Sequence, residues 1–472
     1  MANKSTQLAV LGGGPGGYAA AFMAADLGLD VTMVNLEENP GGVCLYRGCI
    51  PSKALLHVAK VITESREASE WGITFDEPEI DLDKLRSWKN DVVSQMTGGL
   101  KTLSGQRKIT YIQGRGQFTG PNSMSIETDD GEKTLEFEHA ILATGSVPVE
   151  IPGLSLDDER VMDSTGALEL PELPGKMLVI GGGYIGLELG QVYSALGSEV
   201  SVVEMMSNLL PGADQDLVKH VANRVKSQFV DVMTDSKVTE MKAQKNGIKV
   251  TIEDKDGGQQ NKIYDRVLMS IGRKTVTDGL GLENTAIEID DNGFVVTDEQ
   301  CRTAEDSIFA IGDIAGEPML AHKASHEGIV AAEVISGEKA AFEPYAIPAV
   351  VFTDPELAWA GLTESQAKKE DIDYELARFP WAASGRATTL GRSDGMTKLL
   401  IDPETERILG MGIVGPGAGE LIAEGVLAIE MAATAEDLKM SIHPHPTLSE
   451  TVMESAEVFF GHSTHIYRPK RK

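Results

Sequence analysis

The chain has 472 residues, 42% of them hydrophobic and 24% charged. At about 150 residues per domain this makes roughly three domains with ample core, and it excludes a small binding module or a disordered chain. Forty-two Lys and Arg against 72 Asp and Glu leave a net charge of −30, which opposes binding to nucleic acid or to an anionic membrane.

The acidity fits either a saline habitat or drift without function. The basic cluster Arg468, Lys470, Arg471 and Lys472 reads as a solvated tail. No apolar run approaches the roughly 18 residues that span a bilayer. The N-terminus enters a strand-like segment with neither a charged leader nor a small-residue cleavage site, so a cytoplasmic location is expected. Three cysteines cannot build a secreted disulfide scaffold, and the isolated Cys301 is expected to be structural.

The first predicted elements are a strand at Leu8–Leu11, a glycine turn, and an Ala-rich helix from Tyr18 to Leu27. In the turn, Gly12 permits the tight bend, Gly14 lets the backbone approach a pyrophosphate, and Gly17 allows the helix to pack closely, its N-terminus facing the anion. The next strand, Val31–Val34, should end in an acid that holds ribose hydroxyls, but Asn35 stands there and Glu37 and Glu38 follow too late. The Asn35 amide oxygen still accepts a hydrogen bond, without the strength of a charge, so weaker adenosine binding is expected.

Cys44 and Cys49 come next, five residues apart, ahead of a run with helical spacing over Ala54–Ser65. A local pair of this kind points to redox chemistry or to metal. A zinc site needs two further soft ligands that His57 alone does not supply, so no metal is expected. Both cysteines are expected at a helix start, where the N-terminus stabilises a thiolate, and Lys53 adds a cation one turn beyond Cys49.

His139 to Ser146 reads HAILATGS, an apolar strand ending in a turn at Gly145. The dinucleotide pattern then recurs: a strand at Met177–Ile180, Gly181, Gly183 and Gly186, a helix to about Leu196, and a strand Glu199–Val203 ending in Glu204. Glu204 is placed to bond both ribose hydroxyls of NAD and to repel the 2′-phosphate of NADP. Two such folds about 170 residues apart imply one bound flavin and one exchangeable nicotinamide cofactor. After IFAIGD, Asp313 can bond a ribityl hydroxyl or cap the following segment. Near the C-terminus, SIHPHPTLSET supplies His443, His445 and Glu450; a carboxylate on one imidazole nitrogen leaves the other as a base.

The strings GGGPGG, GGVCLYRGCIPSKALL, ATGS, GGGYIGLELG, IFAIGDIAG, MLAHKASHEG and HPHPTLSE, in this order, resemble the class I flavoprotein disulfide reductases, the pyridine nucleotide-disulfide oxidoreductases, and among them the branch that acts on dihydrolipoamide. The resemblance covers nearly the whole chain. It implies an α/β fold with two Rossmann-like dinucleotide-binding domains and a C-terminal α+β dimerisation domain, divided as an FAD-binding domain (1–150), an NAD-binding domain (151–274), a central domain completing the FAD site (275–347) and an interface domain (348–472). It also implies a homodimer that binds FAD and NAD and oxidises dihydrolipoamide on the lipoyl domains and acyltransferase core of 2-oxo acid dehydrogenase complexes.

Carried over residue by residue, the resemblance makes Cys44 the thiol that attacks substrate sulfur and Cys49 the thiolate facing the flavin. His445, oriented by Glu450, becomes the base, and Lys53 and Glu188 pair beside the flavin nitrogen. Gly145, Asp313, Ala321 and His322 fall to FAD, and Gly272 to NAD. Three positions depart from the pattern: Asn35, Arg47 between the cysteines, and Lys274-Thr275 in place of a proline-containing pair, the last expected to reshape a loop. The rivals are an NADPH-linked reductase of glutathione or mercuric ion, which Glu204 and the absence of a C-terminal cysteine pair oppose, a soluble transhydrogenase, which would lack Cys44 and Cys49, and a subunit serving mainly in assembly.

Overall fold

A computed structural model describes residues 4–467 apart from 152 and 155; the basic tail lies outside the described residues. Each glycine turn joins a buried strand to a helix. Strand Lys4–Leu11 pairs in parallel with Val31–Asn35 on one side and with Gly131–Leu142 on the other. The sheet continues outward through Thr110–Gln113 at one edge and through the antiparallel strands Ser123–Thr128 and Arg115–Gly120 at the other. Much later, Ile308–Ala310 adds in parallel to Gly131–Leu142, so the chain returns to its first sheet after completing the second.

That second sheet is wholly parallel, in the order Asp231–Met233, Glu199–Val203, Lys176–Ile180, Arg266–Met269, Val161–Met162. Leu178, Val200 and Val202 are fully buried, as expected for strands covered on both faces. A three-stranded antiparallel sheet, Ser236–Gln244, Gly247–Asp254 and Gln259–Tyr264, lies beside it. Lys274 and Thr275 do not form the expected loop. They lie in a short strand, Arg273–Thr275, antiparallel to Ser146–Pro148, and this ribbon ties the two nucleotide folds together.

The last third of the chain is an antiparallel sheet, Ala349–Val351, Leu357–Gly361, Ile408–Val414, Met396–Ile401 and Glu375–Pro380, packed by helices Ala418–Glu430 and Glu450–Phe459. Its core holds the fully buried Trp381, whose indole N–H donates to Thr397 Oγ1 at 3.0 Å. Beside it, Lys398 Nζ is buried against Asp214 at 2.7 Å, Asp216 at 2.7 Å and Glu364 at 2.9 Å. The three carboxylates have the spacing of a cation site, and the ammonium fills it. Among the described residues no helix is long and apolar enough to cross a membrane.

Candidate active site

Both glycine turns are built for a backbone that must come close to something. Gly12 sits at φ +113°, and a Cβ there would fall 2.1 Å from the Ala143 carbonyl oxygen; one at Gly17 would fall 1.9 Å from the Gly12 oxygen. The second copy repeats this, with Gly181 at φ +104° and 2.4 Å from the Ser270 oxygen, and Gly186 2.3 Å from the Gly181 oxygen. By contrast, a Cβ at Gly183 would face open space and one at Gly14 would only touch Gly42 Cα at 3.9 Å, and neither of these N-caps, of helices Tyr184–Ala195 and Pro15–Asp26, receives a capping side chain. Each helix therefore keeps an N-terminus with no side-chain cap behind a glycine turn, which fits a pyrophosphate. Helix Ala321–Ile335 packs on the first of these helices, where a Cβ at Gly328 would lie 2.5 Å from the Gly16 oxygen.

The ends of the two second strands differ in chemistry and match in geometry. Glu204, 8% exposed, accepts from Gly182 N–H and Met206 N–H, both at 2.7 Å, one on each carboxylate oxygen. Asn35 Oδ1 accepts from the equivalent Gly13 N–H at 3.1 Å, while its amide nitrogen donates to Tyr111 Oη at 3.0 Å. Tyr111 in turn donates to the Glu37 carbonyl at 2.8 Å. Glu37 itself pairs with Arg47, so the loop beyond Asn35 is tied to the segment between the cysteines.

Cys44 lies in a short helix of its own, Gly42–Arg47, and Cys49 opens helix Cys49–Glu67; only the second cysteine occupies the expected helix start. The break falls at Gly48, where a Cβ would be 2.9 Å from the Val43 oxygen. The two sulfurs stand as free thiols, and each is the main influence on the other's titration. Donation from Cys44 is the main cause that lowers the Cys49 thiol to about 7, with help from the Lys53 cation and against the cost of burial. The same bond, together with burial, pushes Cys44 well above the ordinary thiol range. The pair is thus polarised into a thiol donor and a thiolate.

Lys53 Nζ reaches Glu188 Oε2 at 2.8 Å and sits 4.4 Å from the Phe352 ring centroid. Glu188 is 3% exposed and also accepts the Phe352 N–H at 2.9 Å. One ion pair therefore joins the cysteine helix, the second nucleotide helix and the start of the C-terminal sheet.

Asp313 does not cap the turn Gly312–Ile314, which has no side-chain cap. It accepts instead from Ser146 Oγ, which also receives Arg273 Nε at 2.7 Å. Gly145 and Gly272, both at positive φ, flank this group along the ribbon between the two folds. Ala321 begins its helix, and His322 Nε2 lies 2.7 Å from the Pro348 oxygen. Cys301 is buried, its sulfur 3.7 Å from the Glu327 oxygen.

Among the described residues, the polar partners of His445 and Glu450 are each other and Thr447, and no hydrogen bond or ion pair joins them to Cys44, Cys49, Lys53 or Glu188. His445 Nδ1 lies 2.8 Å from Glu450 Oε1, and its side chain is 73% exposed. Burial alone would raise the Glu450 carboxyl; the Thr447 N–H at 2.7 Å and His445 outweigh it and hold the group ionised. His443 is occupied elsewhere, with Nε2 2.7 Å from Glu424.

Residues 6–328 match the pyridine nucleotide-disulphide oxidoreductase family, and residues 347–456 match its dimerisation domain. The chain belongs to this family. It is 51% identical over 466 residues to the dihydrolipoyl dehydrogenase of Vibrio cholerae, covering 99% of this chain and 98% of that protein. It is 45% identical over 466 residues to the dihydrolipoyl dehydrogenase of Halobacterium salinarum, with 98% of each covered. Among solved structures, LpdA from Mycobacterium tuberculosis is similar with a TM-score of 0.89 at 26% identity, over 96% of this chain and 99% of that one. The HOCl-induced flavoprotein disulfide reductase RclA from Escherichia coli, as its Cu(II) complex, gives a TM-score of 0.86 at 27% identity, over 97% and 100% of the two chains.

Several partners of the candidate site residues escaped sequence reasoning. Tyr111 bonds Asn35 and Phe352 bonds Glu188, yet each lies far from its partner along the chain and carries no local motif; Ser146 ends the ATGS string, but its bonds to Asp313 and Arg273 left no sequence signal. Only Arg47 left a signal, as a departure from the family pattern, and its partner Glu37 was visible nearby.

Proposed function

We propose that the chain oxidises protein-bound dihydrolipoamide with NAD, the activity of a dihydrolipoyl dehydrogenase, as a cytoplasmic homodimer serving 2-oxo acid dehydrogenase complexes. The observation that carries this reading is the polarised pair Cys44–Cys49 lying beside Lys53 and Glu188 at the junction of two dinucleotide folds. The similarity to dihydrolipoyl dehydrogenases over almost the full length supports the substrate.

In this reading the chain divides into FAD-binding (1–150), NAD-binding (151–274), central (275–347) and interface (348–472) units. Gly12, Gly14 and Gly17 receive the pyrophosphate of FAD, Asn35 its ribose, and Gly145, Asp313, Ala321 and His322 its remaining polar groups. Gly181, Gly183, Gly186 and Gly272 receive NAD, and the free lone pairs of Glu204 receive the ribose hydroxyls. When bound, FAD supplies a two-electron carrier between the dithiol and NAD.

The protein's own groups move sulfur and protons. In the oxidised enzyme Cys44 and Cys49 are joined. His445, held by Glu450, takes the proton of one substrate thiol, and the resulting thiolate attacks Cys44 Sγ, releasing Cys49 as thiolate. The second substrate thiol then displaces Cys44, closing the lipoyl ring and passing its proton to the Cys44 sulfur. The pair ends as Cys44 thiol and Cys49 thiolate, with one proton on His445, which matches the polarisation of the free thiols. The His445–Glu450 pair, whose imidazole is largely exposed and makes no bond to the cysteine pair of its own chain, is assigned to the site of the partner subunit.

Anaerobic titration of the purified holoenzyme with dihydrolipoamide and with reduced glutathione, followed by flavin absorbance and NADH formation, tests the reading. Dihydrolipoamide should change the flavin absorbance and, once NAD is added, yield NADH. Reaction with glutathione alone would overturn it in favour of a glutathione-type reductase.

A further inference from the structure

Helix Glu450–Phe459 carries Glu450, Glu454 and Glu457 on one face at spacings of four and three. Each carboxylate is met by a loop. Glu450 takes His445 Nδ1 at 2.8 Å and Thr447 N–H at 2.7 Å. One turn on, Glu454, 3% exposed, takes His465 Nδ1 and Ser463 Oγ. Glu457 takes Thr464 N–H at 3.2 Å. The segment 462–465 thus folds back along the helix that orients the base. Like charges at this spacing repel, and a carboxylate charge buried as deeply as Glu454 is costly unless a cation and hydrogen bonds answer it.

We propose that His465 is a positioning residue for the acid–base dyad: as an imidazolium on Glu454 it cancels negative potential one helical turn from Glu450, and through Glu450 it sets the strength of His445 as a base. The proposal rests on the reading of His445 as the base. Supporting it, the Glu454 bond, and after it the charges of Glu450 and Glu457, raise the His465 imidazole above its ordinary value, and His465 in turn helps to lower the Glu450 carboxyl.

Most of the other charged groups around this helix are answered locally. Lys439 pairs with Glu436 at 2.9 Å, Asp437 caps its own helix, and His443 pairs with Glu424. On the strands behind, Arg378 and Lys398 pair with Asp216 and Glu364, while Glu375 and His462 are exposed.

Loss of the His465 cation leaves Glu454 uncompensated, and the added negative potential favours the protonated dyad. The acid limb of the kcat/KM profile for dihydrolipoamide should therefore move up by about half a pH unit, roughly a threefold loss on that limb relative to the variant's own plateau. The experiment measures this profile on the holoenzyme for His465→Gln, for His465→Arg, which restores a cation, and for His465→Gln combined with Glu454→Gln, which removes both charges. The proposal expects an upward shift in the first and a limb close to wild type in the other two.

A wild-type limb in His465→Gln overturns it, as does a double variant that stays displaced. His445→Gln separates the two levels: retained turnover removes the reading of the base itself, whereas lost turnover with an unmoved His465→Gln limb removes only the role of His465.

Discussion

Replacing Cys44 by alanine isolates the bond that polarises the redox pair. In the reduced protein, donation from Cys44 is the largest influence bringing the Cys49 thiol from an ordinary 9.0 to about 7, ahead of Lys53. A thiol titrating near 7 is about nine-tenths ionised at pH 8, and one titrating near 9 about one-tenth. Alanine removes the donor and leaves Lys53 in place, so the thiolate at pH 8 should fall to roughly half. Serine, whose hydroxyl still donates, should retain most of it. The assay is the ultraviolet absorbance of the thiolate in reduced, flavin-free protein across a pH titration. Burial pushes the Cys301 thiol up to about 12, which keeps it silent through most of the range. Equal midpoints in wild type and Cys44→Ala would refute the hydrogen-bond account and leave Lys53 and the helix terminus as the cause.

Two further outcomes follow from buried charges. Because Glu204 keeps both carboxylate oxygens fixed by backbone N–H groups, NAD should exceed NADP in kcat/KM by roughly a hundredfold or more; equal efficiency would remove Glu204 from the ribose site. Lys398→Met leaves Asp214, Asp216 and Glu364 without their shared cation and should cost about 3–5 kcal/mol of stability, read from the denaturant midpoint. An unchanged midpoint would contradict the role given to that cluster.

Local patterns were readable wherever chemistry and backbone geometry coincide in a few residues. The turns at Gly12–Gly17 and Gly181–Gly186, the strand end at Glu204, and the spacing of His445 and Glu450 all belong to this kind. What sequence left hidden was side chains meeting across the fold. The sequence shows that the Asn35 amide oxygen can accept a hydrogen bond, but not that Gly13 N–H already uses one lone pair or that Tyr111, 76 residues away, holds the other end of the amide. The partners of Lys398 lie up to 184 positions from it, with no periodicity to reveal them. Lys274 and Thr275 lacked the usual proline and were expected to loop. With two free N–H groups they can pair with Ser146–Pro148 as a strand instead. The placement of His445 has a different origin in the proposed shared site, where an interface and not the fold of one chain would bring the base to the cysteines.

That sharing of each site between two chains is the central claim, and subunit mixing tests it most directly. Cys44→Ser and His445→Ala homodimers should each be inactive. After exchange, half the dimers of a random equal mixture are mixed, and each holds one site with both defects and one with neither, so about a quarter of wild-type activity should return. No recovery, with exchange of subunits demonstrated independently, would place the base and the cysteine pair of each site on the same chain.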